Sequence, residues 1–185
     1  MATYFVTGSE FKFKEACAVI PELEQLEMDL PEIQDLNPKA VIEAKLEEAA
    51  KHHDGDFVVE DTSLSLDALN GFPGTLIKWM LEAVKPEGMY RLAQQAGNQQ
   101  ATARTVIGYR QSGLAPIFFE GVINGRIVTP EGRGGFGFDP IFQPDGFQAT
   151  FGEMDADQKT QFSMRTEAFK KLKEHLDRQR SVVEE

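Results

Sequence analysis

The clearest chemical signal in this sequence is a pair of adjacent carboxylates, Glu60 and Asp61, that follows a short apolar run over residues 57–59. The run has the composition of a β-strand, and an α/β sheet usually carries its chemistry at the ends of its strands. Thr62 and Ser63 add two hydroxyl groups directly afterwards. Because oxygen ligands of this kind suit a hard cation, the sequence predicts a Mg²⁺ site at the end of this strand.

A tight turn and a cation follow within twenty residues of that strand. Gly71-Phe72-Pro73-Gly74 leads to Lys78, which stands beside Trp79, the only tryptophan. Carboxylates for a metal, a turn, a lysine and an aromatic face together indicate a substrate that carries nucleotide phosphates. Trp79 is equally well explained as a core residue, so it is not assigned to the site.

The composition predicts one soluble domain. The chain has 185 residues, of which 41% are hydrophobic and 26% charged, so we expect a single domain over residues 1–185. The sequence contains no apolar run long enough for a membrane span and no signal-peptide pattern at its start, which predicts a cytoplasmic protein without membrane contact. The single Cys17 excludes an internal disulfide framework.

The net charge of −11 opposes nonspecific binding to nucleic acid, because that binding depends on neutralising phosphates with Lys and Arg. We therefore expect no nucleic-acid partner. A polyanionic small molecule remains possible as a ligand if a metal and local lysines offset the charge.

The start of the chain has the pattern of an anion-binding unit. Residues 3–6 predict a strand, the turn Thr7-Gly8-Ser9 follows, and residues 10–20 predict a helix capped by Ser9. Such a unit directs backbone N–H groups and the helix dipole toward anions. Lys12 lies in the first helical turn and adds its charge there, although a solvated helix lysine is the alternative reading.

The rest of the chain predicts a mixed α/β fold. A helix that begins at Asn37-Pro38 carries Lys45 at the border of its apolar face. The Asn124-Gly125 pair is a strong turn signal inside a region of alternating β-branched and aromatic residues that looks antiparallel. Further segments are a strand at 26–30, helices at 75–84 and 87–96, a polar stretch after Pro140, and a last helix after Ser163.

Two common nucleotide-binding motifs do not apply. Residues 132–137 match the pattern G-x-G-x-x-G, but Asp139-Pro140 follows at once, so no helix can begin there to receive a pyrophosphate. This argues against a dinucleotide-binding dehydrogenase. The lysine motif of P-loop enzymes is absent, which argues against P-loop phosphotransfer.

Several separated blocks resemble the inosine triphosphate pyrophosphatases, the family that hydrolyses non-standard purine nucleoside triphosphates. The matching segments and family blocks are 7–12 (T-G-N-x-x-K), 60–64 (E-D-[TS]-x-L), 71–74 (G-x-P-G), 78–79 (K-W), 136–142 (F-G-[WY]-D-P-x-F) and 163–165 (S-H-R). The blocks occur in the family's order over essentially the whole chain. Several matches in order are far more specific than any single one.

The resemblance implies a fold, a reaction and a cofactor. The fold is an elongated α/β (mixed α+β) architecture with a central mixed sheet flanked by helices and an active-site cleft between two lobes, in a homodimer. The reaction is hydrolysis of ITP, dITP or XTP to the nucleoside monophosphate and pyrophosphate with Mg²⁺. This activity would remove non-standard purines from the nucleotide pool.

The resemblance also implies the site residues. They are Thr7, Gly8, Ser9, Lys12, Lys78, Phe136, Asp139, Lys159, Met164 and Arg165 for the substrate, Glu32 and Asp61 for the metal, and Asp61, Lys45 and Glu60 for catalysis. Phe136 can stack on a purine, and Asp139 with Arg165 can pair with its polar edge. Asp61 or Glu60 would orient or deprotonate the water, and the sequence leaves both open.

Two positions depart from the family pattern. Ser9 stands in place of asparagine, and Met164 replaces a histidine beside the implied base pocket. Because a thioether cannot donate a hydrogen bond, a changed or relaxed base preference is one alternative. A nucleotide-binding module without turnover is another, although the presence of both Glu32 and Asp61 favours activity.

Overall fold

A computed structural model describes residues 2–30 and 32–183 of the protein. Its strands are β1 Thr3–Val6, β2 Glu24–Leu26, β3 Asp56–Leu66, β4 Pro73–Gly74, β5 Gln100–Arg110, β6 Ile117–Ile127 and β7 Phe142–Pro144. Its helices are α1 Glu10–Val19, α2 Pro38–His52, α3 Ile77–Gln95, α4 Ala156–Phe162 and α5 Met164–Val183. The predicted mixed α/β class is confirmed.

The described strands form one mixed sheet in the order β2-β1-β3-β5-β6-β7, with β4 paired to β3. β1 is parallel to both β2 and β3, whereas β4 on β3 and β7 on β6 are antiparallel. The register opposes Phe5 to Val58. No described helix has the length and the apolar character needed to cross a membrane.

The chain divides into two compact units. The first contains Met1–Asp61, Thr105–Gly121 and Met164–Glu185, and the second contains Thr62–Arg104 and Val122–Ser163. A single domain over residues 1–185 stays a prediction.

The core of the first unit follows the two-residue period of its strands. Phe5 and Val58 belong to a buried cluster with α1 and α5, whereas their neighbours Val6 and Val59 belong to a second cluster with α2. Successive side chains of a strand point to opposite faces, so an apolar run gives the sheet two apolar faces. Helices pack against both of these faces. Each fully buried Phe or Val side chain contributes roughly 1.5–3 kcal/mol relative to exposure.

Both predicted N-caps are confirmed. The Ser9 hydroxyl accepts from the backbone N–H of Lys12 at 3.3 Å, and the Asn37 side chain accepts from that of Lys39 at 3.1 Å. Pro38 occupies the start of α2, where its missing N–H has no effect on helical hydrogen bonding.

The predicted strand end after Glu60 and Asp61 is wrong, because β3 continues through both residues to Leu66. It is the neighbouring strand β1 that ends, at Val6. Phe5 of β1 pairs with Val58 of β3, two residues before Glu60. Downstream pairing of Leu64 with Gly74 extends β3. The two carboxylates therefore lie beyond the end of β1 and not beyond the end of their own strand.

The turn predicted at Asn124-Gly125 is also wrong, since both residues lie inside β6. Gly125 pairs with Pro144 of β7, and an added Cβ would collide with the carbonyl oxygen of Gln143. Close approach of two strands explains this glycine better than a turn does.

Two further boundaries differ from prediction. β2 ends at Leu26, where the predicted strand began. The two helices predicted around residue 85 are confirmed, because the non-helical backbone of Lys85 (φ 62°), just before Pro86, separates α3 into two helical segments. α4 arises within the stretch described only as polar, and Asp155 with Gln158 forms a capping box at its start, a signal that the sequence does contain.

Candidate functional site

The N-terminal end of α1 offers backbone donors beside an open loop. Ser9 caps the helix, its own N–H donates to the Thr7 hydroxyl at 3.1 Å, and the Gln25 side chain donates to the Thr7 carbonyl at 3.0 Å. A Cβ added at Gly8 would meet no atom within 4 Å, so packing does not require this glycine. Contact of this bare backbone with an anion stays a prediction.

Lys12 joins this end of α1 to a buried ion cluster. Its ammonium lies 2.9 Å from Glu60 Oε1. Arg165 donates to both oxygens of Glu60, from Nε at 2.7 Å and from Nη2 at 3.2 Å. Nη1 of Arg165 donates to Glu15 Oε2. Although burial opposes ionisation, the charges of Arg165 and Lys12 lower the pKa of Glu60 to about 2.

A second cluster combines Lys45 with two carboxylates. The Lys45 ammonium lies 2.6 Å from Glu32 Oε1 and 4.0 Å from Asp61 Oδ1, and it donates to the Glu60 carbonyl at 3.5 Å. Burial raises the pKa of Asp61 to about 6, and the attraction of Lys45 offsets only part of that effect. The buried Oδ2 of Asp61 has no hydrogen-bond partner.

These carboxylates suit a divalent cation that takes only one or two ligands from the protein and the others from water and phosphate. Within residues 2–30 and 32–183, no group of three or more His, Cys, Asp or Glu side chains is arranged to hold a metal by itself. Mg²⁺ is commonly bound through one or two carboxylates together with substrate phosphates. A buried carboxylate oxygen without a partner at Asp61 is compatible with such a ligand.

The second unit contains a separate set of predicted residues. The Lys159 ammonium lies 2.6 Å from Asp139 Oδ2, and the same oxygen accepts from the Phe136 backbone N–H at 2.8 Å. Lys159 also stands 5.1 Å from the centre of the Phe136 ring, within cation–π range. The side chain of Phe136 is 41% exposed, so this ring is not a core residue.

Gly135 is needed to seat Asp139, and sequence reasoning did not single it out. It has a φ of 71°, and an added Cβ would collide with the Asp139 carboxylate. Gly135, at a variable position inside the false dinucleotide motif, thus allows a carboxylate to approach the backbone closely.

Lys78 and Trp79 lie in the first turn of α3. The Lys78 ammonium stands 5.4 Å from the centre of the Trp79 ring. Trp79 is 49% exposed, which excludes the core placement considered for it.

Met164 and Arg165 begin α5 and are both buried, at 2% and 0% exposure. Arg165 directs its guanidinium to two carboxylates, and the backbone carbonyl of Met164 packs where any side chain at Gly121 would stand. Contact of either side chain with a base stays a prediction.

Within the first unit the fold therefore brings together seven predicted residues: Ser9, Lys12, Glu32, Lys45, Glu60, Asp61 and Arg165. Within the second it brings together Phe136, Asp139 and Lys159. Glu15 was missed, because it belongs to no motif. Its one sequence signal is a carboxylate next to Ala16 and Cys17 on an amphipathic helix.

Comparison with known proteins gives a consistent assignment. The Ham1 family model matches residues 3–175. An inosine triphosphate pyrophosphatase from Schizosaccharomyces pombe is 36% identical over 96% of this chain and 96% of its own. One from Batrachochytrium dendrobatidis is 40% identical over 92% of this chain and 91% of its own.

The fold agrees with solved structures. A HAM1 protein from Coxiella burnetii superposes with a TM-score of 0.83 at 24% identity, covering 96% of this chain and 100% of its own. The resemblance predicted from the sequence motifs is thus confirmed. Both the sequence relatives and the fold lead to one assignment: the chain belongs to the Ham1 family.

Proposed function

We propose that this protein hydrolyses non-standard purine nucleoside triphosphates, ITP, dITP and XTP, to the nucleoside monophosphate and pyrophosphate. The predicted enzyme class, a nucleoside triphosphate pyrophosphatase, is confirmed by relatives of that name along nearly the whole chain. The homodimer and the cytoplasmic location stay predictions.

One observation carries the chemical part of this proposal. Asp61 is a buried carboxylate with an unpartnered oxygen and a pKa raised to about 6, and it stands near the Lys45 ammonium. Functional positions often hold a buried carboxylate whose desolvation cost is only partly offset by nearby lysines.

In the proposed reaction the first unit binds the phosphates. The N-terminal end of α1, with Ser9 and Lys12, would receive phosphate oxygens through backbone N–H groups and one ammonium. Lys45 would neutralise further charge there, whereas a role for Lys78, which belongs to the second unit, stays a prediction. Hydrolysis at the α-phosphorus needs charge neutralisation and in-line positioning more than covalent participation of the protein.

Asp61 is a better candidate than Glu60 to accept a proton from the attacking water. Both oxygens of Glu60 accept from Arg165, and its pKa of about 2 makes it a weak base. Asp61 has an oxygen without a hydrogen-bond partner, which Glu60 lacks, so it can accept a proton from a nearby water more readily. We therefore assign Glu60 to holding Lys12 and Asp61 to the reacting groups.

Glu32 and Asp61 would hold Mg²⁺, since Mg²⁺ prefers oxygen ligands and its charge would stabilise an ionised Asp61. When bound, the cation supplies charge neutralisation on the phosphates. Lys45, which now contacts both carboxylates, would then be released to turn toward the substrate.

The second unit would bind the base. The exposed ring of Phe136 offers a stacking surface, and Asp139 with Lys159 provides an acceptor and a donor at its edge. A changed or relaxed base preference remains the second candidate, because Met164 replaces the histidine of the family pattern.

The test is pyrophosphate release from a panel of ITP, XTP, dITP, GTP and ATP, followed by hydrolysis of the best substrate in ¹⁸O-water. We expect the label in the monophosphate. Label in pyrophosphate or in free phosphate would refute attack at the α-phosphorus, and binding of ITP without any turnover would support a binding module instead.

A further inference from the structure

Glu15 is a buried carboxylate that no sequence motif contains. It lies on α1, one helical turn after Lys12, and is 5% exposed. Its Oε2 accepts from Arg165, while its Oε1 is buried and has no hydrogen-bond partner.

Stability does not explain this residue well. A buried ion pair is often no more stabilising than apolar side chains of the same volume, because desolvation offsets the attraction. An unsatisfied buried oxygen adds a further penalty. Apolar side chains in place of the whole buried ion cluster would therefore suit the fold at least as well as the charges do.

The charges of the ion cluster explain why a carboxylate is present at position 15. Arg165 and Lys12 are two cations that both contact Glu60, and they share one atom: Oε1 accepts from Arg165 Nη2 at 3.2 Å and lies 2.9 Å from Lys12 Nζ. Glu60 is therefore shared between two cations. Glu15 provides the second negative charge on the far side of Arg165, so that Glu60 can hold Lys12.

We propose that Glu15 is a positioning residue that fixes Lys12 at the phosphate-binding end of α1, acting through Arg165 and Glu60. This inference rests on the proposed function, in which Lys12 contacts the phosphates. Arg165 accordingly acts as a bridge between two carboxylates, a task for which its planar fork is suited and a lysine is not.

Loss of the Glu15 charge should lower kcat more than it changes KM. Loss of one negative charge does not add repulsion toward the phosphates, so KM should not rise. A misplaced ammonium near the reacting phosphate should lower kcat on the order of ten- to a hundredfold, since catalysis is sensitive to displacements of about 1 Å.

The experiment is a double-mutant cycle of Glu15→Gln and Lys12→Gln, with kcat and KM measured for ITP with Mg²⁺. We expect Glu15→Gln to lower kcat in the unmodified protein but by less than about twofold in the Lys12→Gln background, which is within ordinary additivity error. Glu22→Gln is the matched control. It removes a glutamate paired with another arginine of α5, Arg180, at 3.2 Å on the exposed surface, and it should leave kcat unchanged.

A second variant keeps the test decisive if Glu15→Gln does not fold. Glu15→Asp retains the charge and withdraws it by one methylene, and its loss of kcat should depend on Lys12 in the same way. Equal losses in both backgrounds, or no loss in either, would overturn the role of Glu15. Full activity of Lys12→Gln would also overturn the inference, because Lys12 would then have no role for Glu15 to support. Only the absence of pyrophosphate release by the unmodified protein would refute the proposed function itself.

Discussion

Asp61→Asn should stabilise the protein while it removes most of the activity. Burial raises the pKa of this carboxyl from 3.8 to about 6. A raised pKa means that the folded state favours the protonated form of this carboxyl. The contribution of the protonated carboxyl to the free energy of unfolding is complete below pH 3.8 and is lost as pH rises through about 6. At pH 8 the ionised carboxylate therefore destabilises the metal-free protein.

The magnitude follows from the size of the shift. About two pKa units correspond to about 3 kcal/mol, at 1.36 kcal/mol per unit. The Asp61 side chain is only 14% exposed, so solvent screening removes little of this energy. For a chain of this size, 3 kcal/mol corresponds to a rise in Tm of roughly 6–12 °C.

The assay is denaturant unfolding without divalent cations at pH 8 and at pH 4, for the unmodified protein, Asp61→Asn and the exposed control Asp54→Asn. We expect Asp61→Asn to be more stable at pH 8, to lose most of that advantage at pH 4, and to release little pyrophosphate at any Mg²⁺ concentration. The control should match the unmodified protein. Equal stability of all three proteins at pH 8 would refute the burial argument, and near-normal turnover would remove Asp61 from the mechanism.

Four further outcomes are expected. Mg²⁺ should raise the Tm of the unmodified protein at pH 8 more than that of Asp61→Asn; equal shifts in a thermal melt would exclude Asp61 as a ligand. Met164→His should lower the free energy of unfolding by about 1–3 kcal/mol, since it buries a polar ring at a site that is 2% exposed. The same variant should raise the ratio of kcat/KM for ITP over GTP several-fold, because a histidine can donate to the edge of the base, and an unchanged ratio would show that position 164 does not read the base. Phe136→Ala should raise KM for ITP by roughly five- to tenfold through the loss of about 1 kcal/mol of stacking, with little change in Tm; an unchanged KM would remove this ring from the base site.

Local sequence signals were sufficient where neighbouring residues alone satisfy the backbone. The caps at Ser9 and Asn37, the proline at the start of α2 and the apolar run of β3 were all predicted in place. Each depends on contacts within a few residues, so propensity and spacing determine it. The ordered motif blocks determined the family and the reaction class in the same way.

The tertiary structure decided what depends on partners distant in the chain. Glu60 and Asp61 lie in mid-strand because β4 extends the pairing of β3, and Asn124-Gly125 is no turn because β7 lies against it. One partner of Arg165 is 150 residues away at Glu15, and the other is 105 residues away at Glu60. Neither composition nor periodicity carries information over such distances. The sequence alone thus determined which side chains this protein offers for chemistry. The fold determined which of them are exposed to a ligand and which are buried and hold the others in place, because burial and charge pairing depend on the whole chain.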